Sequence, residues 1–277
     1  MKFALATAPQ HTTWDRVLAV WQAADEMAVF ESAWTFDHFY PIEGDTHGPC
    51  LEGWMTLAAL AQATRRLRLG TLVTGMVYRH PAVLANMAAT LDIVSGGRLE
   101  LGVGAGWNEE ECGAYGIDLG TMTQRFDRFA EGLAVLDSLL RAPTTDFEGH
   151  YYQLRDARCE PKPRQRPRPP IVIGGTGPRR TLPLVARYAD HWNYPGPAAE
   201  LPALRAVLAA ECAAIGRDPA EVRISSLVWH RDGLAAMVEQ AAAYASAGVD
   251  LLFVSLPRPH DPADLAPLAD VLGELVD

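Results

Sequence analysis

The sequence predicts a single (β/α)8 barrel, an α/β fold of the TIM type. Eight short apolar runs alternate with longer amphipathic runs, which is the pattern of parallel strands joined by helices. The chain has 277 residues, and a barrel of this kind needs about 250. No linker-like composition divides it. We therefore expect one domain over residues 1–277, with an insertion at about 142–170 between strands four and five.

Four strand–helix units are predicted in the first half of the chain. The strands are expected at residues 2–7, 32–37, 68–74 and 98–104. The helices are expected at residues 14–28, 52–64, from 81 onward, and 125–140. Pro81 suits a first helical turn, and Gly96 and Gly97 supply the C-terminal stop of that helix.

The second half continues the same alternation. Strands five to eight are expected at residues 171–174, 190–193, 222–229 and 249–255. Helices are expected at residues 178–188 and 201–215, and after each of the last two strands. Eight such repeats fit a closed barrel better than an open sheet.

The segment 142–170 interrupts the pattern with turn residues, aromatic residues and prolines. Residues 147–152 resemble a small hairpin with Gly149 in its turn, and residues 162–170 are cationic and rich in proline. A loop this long in a barrel is typical of a lid or a binding wall. An extended, solvated connector explains the same composition, so both interpretations stand.

Composition excludes several classes of function. There are 24 Lys and Arg against 34 Asp and Glu, a net charge of −10, which argues against nucleic-acid binding. No apolar run approaches the roughly 20 residues of a membrane span, and the first residues lack the features of a secretory signal. The four cysteines are scattered, which disfavours a disulfide framework or a cysteine zinc site and favours a cytoplasmic location. They are Cys50, Cys112, Cys159 and Cys212.

We expect the site residues where strands end, because barrel active sites form at that face. Strand two ends in Asp37 and His38, a carboxylate and an imidazole that can bind a cofactor edge and move a proton. A hydrogen-bonded structural pair explains the same two residues. Gly75, after strand three, predicts a bulge or a close approach to a ligand, although it also suits a simple strand end.

Two glycine-rich segments follow strands four and five. In the first, Gly102 to Gly106 allow close backbone approach to a ligand, and Trp107 breaks the dinucleotide-binding pattern. Glu109–Glu111 are interpreted as an exposed acidic turn rather than a metal cluster. In the second, residues 174–180 (GGTGPRR) precede a helix and suit a phosphate. The histidines show no metal-ligand spacing, so no metal is predicted.

Four segments in order resemble the luciferase-like monooxygenase superfamily, and most closely its branch of oxidoreductases that use the deazaflavin coenzyme F420. They are Trp34 to His38, Leu69 to Pro81, Ala88 to Glu111 and Pro170 to Asn193. The resemblance implies a barrel with a flavin-type ring at its mouth, and hydride transfer between coenzyme F420 and a small organic substrate. It also implies a homodimer.

The resemblance assigns roles to particular residues. It makes His38 the catalytic proton donor or acceptor, with Asp37 second, and it places a non-proline cis peptide around Thr74–Gly75. The implied cofactor-binding residues are Asp37, His38, Thr74, Gly75, Gly104, Ala105, Gly106, Trp107, Gly174, Gly175, Thr176 and Gly177. The implied substrate pocket consists of Phe39, Tyr40 and Trp107.

Two further expectations follow from the resemblance. The cofactor's phosphate and oligoglutamate tail need cationic partners, for which the candidates are Arg164, Arg166, Arg168, Arg179 and Arg180. Two alternatives share the fold: a monooxygenase that uses reduced FMN and oxygen, and a flavin-binding relative without catalytic activity.

Overall fold

The strands close into a parallel barrel in the computed structural model, which describes residues 1–230 and 233–275. Neighbouring strands pair in parallel all around the barrel, and pairing of Leu69 and Gly70 with Leu99 and Glu100 closes the ring. The predicted fold class is confirmed. The predicted domain over 1–277 includes residues 231–232 and 276–277, which lie outside the described residues.

The third barrel strand is broken in two, so nine short strands make an eight-membered ring. The strands are β1 (Lys2–Ala6), β2 (Phe30–Thr35), β3 (Arg68–Thr71), β4 (Thr74–Gly75), β5 (Leu99–Gly104), β6 (Thr145–Glu148), β7 (Gln153–Ala157), β8 (Ile171–Gly174), β9 (His191–Asn193), β10 (Arg223–Trp229) and β11 (Leu251–Ser255). β6 and β7 form a separate antiparallel hairpin.

Helices surround the ring, and several begin at side-chain caps that the sequence supplies. They are α1 (Trp14–Asp25), α2 (Gly53–Ala63), α3 (Pro81–Val94), α4 (Glu109–Ala114), α5 (Met122–Arg141), α6 (Thr181–Tyr188), α7 (Leu201–Ala214), α8 (Leu234–Ser246) and α9 (Leu265–Glu274). α5 begins three residues before its predicted start because Thr121 and Gln124 form a capping box. The prediction omitted α4, a single short helix capped by Asn108.

The break between β3 and β4 brings Val73 to the base of the barrel mouth. The peptide bond between Leu72 and Val73 is cis, so the predicted position around Thr74–Gly75 is wrong by two residues. A side chain at Gly104 would meet Val73 at 2.9 Å, and one at Gly174 would meet it at 3.3 Å. These glycines therefore leave the space that the Val73 side chain occupies.

Charged side chains at the strand starts close the opposite, N-terminal end of the barrel. Glu100 of β5 accepts a hydrogen bond from Arg68 at 2.6 Å and lies 3.3 Å from Nδ1 of His191. Above them, large apolar side chains fill the interior, with Trp34 and Phe253 packed edge to face. Because the interior is filled, the cavity that the strand ends line lies at the C-terminal mouth and not inside the barrel.

The insertion lies against the outside of the barrel. Glu131 of α5 accepts hydrogen bonds from the amides of residues 150–152, in the turn between β6 and β7. Further along, Gln165 bonds to Asp92 and to the carbonyl of Leu99 at the start of β5. The predicted hairpin is confirmed. The interpretation of this segment as a lid or a binding wall is wrong, because none of residues 142–170 lines the cavity at the mouth.

Candidate active site

A cavity of about 680 Å³ opens at the C-terminal ends of the barrel strands. Residues at or just after the ends of all eight barrel strands line it, which is the arrangement expected of a barrel active site. One representative from each position is Thr7, His38, Gly75, Gly104, Gly174, Asn193, Trp229 and Ser255. Most of the remaining wall is apolar, including Ile42, Phe126 and Phe129.

His38 is held in one orientation by a carboxylate distant in sequence. Nδ1 of its imidazole lies 2.8 Å from Oε2 of Glu111, and both side chains are buried. The Tyr78 hydroxyl donates to the same oxygen at 2.5 Å, and the Phe39 amide donates to Oε1 at 2.6 Å. Within the described chain, Nε2 of His38 makes no hydrogen bond, and His38 lines the cavity. The imidazole therefore turns one nitrogen to Glu111 and leaves the other for a ligand.

The hydrogen bonds to Glu111 keep its carboxyl ionised. Burial alone would raise the pKa of this carboxyl, but the bonds from His38, Tyr78 and the Phe39 amide outweigh it and lower the pKa below its usual value. Burial and the bond to Glu111 raise the pKa of the Tyr78 hydroxyl, which stays protonated. An ionised acceptor favours a proton on the His38 nitrogen that faces it, Nδ1, and leaves Nε2 outside this hydrogen bond.

Glu111 does not lie where the sequence predicts. It is completely buried, whereas Glu109 and Glu110 are exposed, so the expected exposed turn is wrong at this position. The cause is the capped helix α4, in which Asn108 Oδ1 accepts from the Glu111 amide and the Glu111 side chain lies at His38. The sequence did carry a signal for this helix: Asn108 is a helix-capping residue, and an acidic residue follows it three positions later.

Asp37 lies behind the cavity rather than on its wall. Its carboxylate is completely buried and forms two hydrogen bonds with the Arg79 guanidinium. Arg79 also lies 3.7 Å from a Glu52 carboxylate oxygen. The structure therefore separates the two residues that the sequence analysis grouped: His38 reaches the cavity and Asp37 pairs with a neighbouring cation.

The three predicted pocket residues also divide. Trp107 lines the cavity, is 58% exposed, and has its ring centroid 5.5 Å from that of His38. Phe39 packs on Tyr78 and Tyr115, with ring centroids 4.9 and 4.7 Å apart, and Tyr40 lies beside Tyr115. Phe39 and Tyr40 are absent from the cavity wall and support the residues behind it.

The glycine-rich segments form one side of the wall. Gly75, Gly104 to Trp107, and Gly174 to Gly177 all line the cavity. Thr74 does not, because its hydroxyl is buried in hydrogen bonds with Trp54 and Thr71. The glycine segments that were predicted to face a ligand therefore lie together at one cavity. Their role in binding a ligand stays a prediction.

The predicted arginine group is split between the two ends of the barrel. Arg168 bonds to Asp137 near the end of α5 and to Asp190, and Arg164 lies beside Gly97, before β5. These contacts put residues 164–168 at the N-terminal end, so the expectation that they meet the cofactor is wrong. Arg180, which follows β8, lines the cavity. The order of the chain could have predicted this split, because residues that precede a barrel strand lie at the opposite end of the barrel from residues that follow it.

Other cavity residues were missed by the sequence analysis. Arg125 of α5 and Thr35 of β2 line the wall, and each has a buried polar atom without a hydrogen-bond partner, Nε and Oγ1 respectively. Such orphaned atoms are uncommon and call for a partner that completes them. Among the described residues, no group of three His, Cys, Asp or Glu side chains is placed to hold a metal ion.

A closed barrel with an apolar mouth, a glycine-rich wall and an oriented imidazole is an arrangement that can hold an organic ligand at the C-terminal ends of the strands. The sequence model described as luciferase-like monooxygenase matches residues 1–273. The chain belongs to this family, and the resemblance seen in the sequence is confirmed.

Individual relatives add detail. Over 74% of the chain, it is 34% identical to the F420-dependent hydroxymycolic acid dehydrogenase of Mycobacterium tuberculosis, and the match covers 56% of that protein. It is also 34% identical, over 60% of the chain, to the F420-dependent glucose-6-phosphate dehydrogenase of Amycolatopsis mediterranei, covering 47% of that protein. The chain thus spans about half the length of these curated relatives.

Solved structures share the fold over the whole chain. An F420-dependent secondary alcohol dehydrogenase in complex with an F420–acetone adduct has a TM-score of 0.87 at 19% identity, covering 100% of this chain and 99% of that one. The F420-dependent tetrahydromethanopterin reductase of Methanopyrus kandleri has a TM-score of 0.83 at 16% identity, with the same coverage of both chains. At these identities the likeness concerns the fold. Among the described helices, none is long and apolar enough to cross a membrane.

Proposed function

We propose that this protein is a coenzyme F420-dependent oxidoreductase that transfers a hydride between the deazaflavin and a small organic substrate in the cavity at the barrel mouth. The observation that carries the proposal is His38, whose Nδ1 is engaged by Glu111 and whose Nε2 is left for a ligand. The names of the relatives support the choice of cofactor.

The cavity fits a deazaflavin in size and in the chemistry of its wall. A volume of about 680 Å³ lies within the range of sites for cofactor-sized ligands. The glycine-rich segments allow a flat ring and its chain to approach the backbone, and Val73 presents an apolar surface at the base of the mouth. Gly104 to Trp107 and Gly174 to Gly177 would hold the cofactor's chain, with Arg180 near its charged end.

When bound, coenzyme F420 supplies a carbon centre that accepts or donates a hydride. His38 acts on the substrate: in the alcohol-oxidising direction, Nε2 accepts the hydroxyl proton as the substrate carbon loses its hydride. In the reverse direction, the imidazolium returns that proton to the carbonyl oxygen. The ionised Glu111 stabilises the imidazolium through Nδ1, and Tyr78 holds the carboxylate in place.

The wall around His38 is aromatic and uncharged. Phe36 packs against the imidazole with ring centroids 5.1 Å apart, and Trp107 lies on another side at 5.5 Å. Ile42 lines the same cavity. These apolar and aromatic surfaces favour a small, neutral alcohol or carbonyl compound over a charged substrate.

The test is anaerobic single turnover. Purified protein is mixed with reduced or oxidised F420 and a panel of small ketones and secondary alcohols, and the absorbance of the deazaflavin is followed. We expect substrate-dependent oxidation or reduction of the cofactor, lost in His38→Asn with cofactor affinity retained. Oxygen consumption with reduced FMN, and no reaction with F420, would instead support the monooxygenase alternative. Tight cofactor binding with no turnover of any substrate would support the non-catalytic relative.

We also propose a homodimer formed through helices α2 and α3. Every exposed residue of these two helices is uncharged, and the face includes Met55, Val83 and Ile93. An exposed apolar face of this kind is typical of a protein interface. Light scattering should give the dimer mass, and Val83→Glu should give the monomer, whereas Ile215→Glu, an exposed apolar position elsewhere, should leave the dimer intact.

The four cysteines are free, which accords with the proposed cytoplasmic location.

A further inference from the structure

An ion pair between Glu43 and Arg258 forms part of the cavity wall. Nη2 of Arg258 donates to Oε2 of Glu43 at 2.6 Å, and both residues line the cavity. Glu43 lies in the segment between β2 and α2, and Arg258 follows β11, so the pair joins residues 215 positions apart. A carboxylate and a guanidinium therefore lie side by side in a wall that is otherwise mostly apolar.

This ion pair is a weak tie between the two loops that carry it. The Arg258 and Glu43 side chains are 25% and 30% exposed, and ion pairs in contact with water contribute little to stability. The loop after β1 already holds both segments. Nε2 of His11 lies 2.9 Å from the Glu43 carbonyl, and Nε2 of His260 lies 2.9 Å from the Ala8 carbonyl. The loops thus fix the positions of the two charged residues, and the pair itself is left for a role in the cavity.

The pair keeps hydrogen-bonding atoms that a ligand can use. Within the described chain, Oε1 of Glu43 and the Nε and Nη1 atoms of Arg258 make no hydrogen bond, and none of these atoms is buried. The carboxylate oxygen can accept a hydrogen bond, and the guanidinium N–H groups can donate one. Because the two charges cancel, the pair offers a ligand an acceptor and a donor without a net charge.

The pair lies across the mouth from the glycine segment after β8. β2, β1 and β11 are neighbours in the ring, so Glu43 and Arg258 flank β1. β11, β10 and β9 separate β1 from β8 in one direction, and β2, the broken third strand and β5 separate them in the other. His38 follows β2 and is on the same side as the pair. A ligand whose reacting carbon is at His38 can therefore direct its other end to the pair and away from the glycine segments.

We infer that Glu43 and Arg258 form the polar end of the substrate site, and that they select an uncharged substrate group with a donor and an acceptor side by side, as in a primary carboxamide. The inference rests on the proposed function, which places the reacting end of the substrate at His38. Glu43 accepts a hydrogen bond from the amide nitrogen, and Arg258 donates one to the amide oxygen. A substrate carboxylate is repelled by Glu43, and an alkyl group leaves both partners without hydrogen bonds.

Three methyl ketones of equal size test this selection. Levulinamide ends in a carboxamide, levulinate in a carboxylate, and methyl isoamyl ketone in a branched alkyl group. Binding is measured by calorimetry, with the apoprotein and with protein loaded with oxidised F420, which cannot reduce a ketone. Turnover is measured separately from the absorbance of reduced F420. We expect the wild type to bind levulinamide about 10-fold more tightly than either of the other two ketones.

Three variants identify the source of the preference. Glu43→Gln should bind levulinate more tightly than the wild type does, because Arg258 loses its neutralising carboxylate. Arg258→Met should bind levulinamide about 10-fold more weakly and should no longer prefer it to methyl isoamyl ketone. Glu31→Gln is the matched control, because Glu31 pairs with Arg223, is exposed to a similar degree and is absent from the cavity wall. It should keep the wild-type preference, and all three variants should keep F420 affinity within about twofold.

The outcomes separate this inference from the proposed function. Equal binding of the three ketones by the wild type, or tighter binding of levulinate, would overturn the inference. So would an unchanged preference in both Glu43→Gln and Arg258→Met. If the wild type reduces the ketones with F420 but does not prefer levulinamide, the proposed function stands and the inference fails. If levulinamide binds through the pair but no ketone oxidises F420, the proposed function fails and the polar subsite remains.

Discussion

Replacing Glu111 by Gln should impair turnover far more than cofactor binding. In the wild type, Oε1 accepts from the Phe39 amide while Oε2 accepts from both His38 and Tyr78. Gln has one acceptor oxygen, and keeping the Phe39 bond would turn its NH2 group toward His38. The imidazole would then have to accept at Nδ1 and carry its proton on Nε2, the wrong form for accepting a proton from substrate.

The magnitude follows from the bond that is lost. A hydrogen bond to a charged group contributes about 1.5–3 kcal/mol, and its loss from the reacting state lowers kcat about 10- to 150-fold. The assay is steady-state turnover followed by deazaflavin absorbance, with the cofactor Kd measured separately by fluorescence. Glu110→Gln is the matched control, since Glu110 is the exposed neighbour on the same short helix.

A double variant tests whether Glu111 acts through His38. If it does, adding Glu111→Gln to His38→Asn should cost little further activity, because the interaction is already gone. A folded Glu111→Gln protein with kcat within about twofold of the wild type would refute the reasoning. So would effects of the two single substitutions that simply multiply, because residues acting as a unit do not behave independently.

Three other predictions concern stability. Asp37→Asn should lower the free energy of unfolding by about 3 kcal/mol in urea denaturation, because it leaves the Arg79 guanidinium without its buried partner. Cofactor affinity should stay unchanged. A loss of cofactor affinity with full stability would instead place Asp37 in the ligand site. Burial alone would raise the pKa of Glu100, but the hydrogen bond and charge of His191 and the Arg68 pair outweigh it and lower the pKa to about 2. The stability that this carboxylate contributes should therefore be lost as pH falls from about 4.5 toward 2. Denaturation curves of Glu100→Gln should lack that part of the pH dependence. Gly102→Ala should destabilise the barrel severely, because a Cβ there would overlap the Thr71 carbonyl between β3 and β5, whereas Gly273→Ala, which meets nothing, should be neutral or stabilising in thermal melts.

The barrel could be predicted because its signals are local. Each strand is a short apolar run and each helix has its own period, so alternation alone gave the eight units and their order. The closed ring then followed from their number and length. The break in the third strand was beyond this reasoning, because Val73 reads as one more apolar strand residue and its position depends on glycines in two other strands.

The site was predictable only in part, because its decisive contacts join distant residues. His38 was found from its place at a strand end, but Glu111 lies 73 positions away and looks exposed in a run of three glutamates. Arg125 likewise reads as one charge in a charged helix, and its burial appears only when α5 packs beside the mouth. Burial of a charged residue is a tertiary property that charge patterning does not report.

The most direct test of the account is a parallel titration of the purified apoprotein with F420 and FMN, followed by fluorescence or calorimetry. The cavity chemistry and the family relationship predict tight, saturable binding of F420 and weak binding of FMN. Tight FMN binding with weak F420 binding would contradict the account and make oxygen the missing reactant, and binding of neither would remove the cofactor from the proposal.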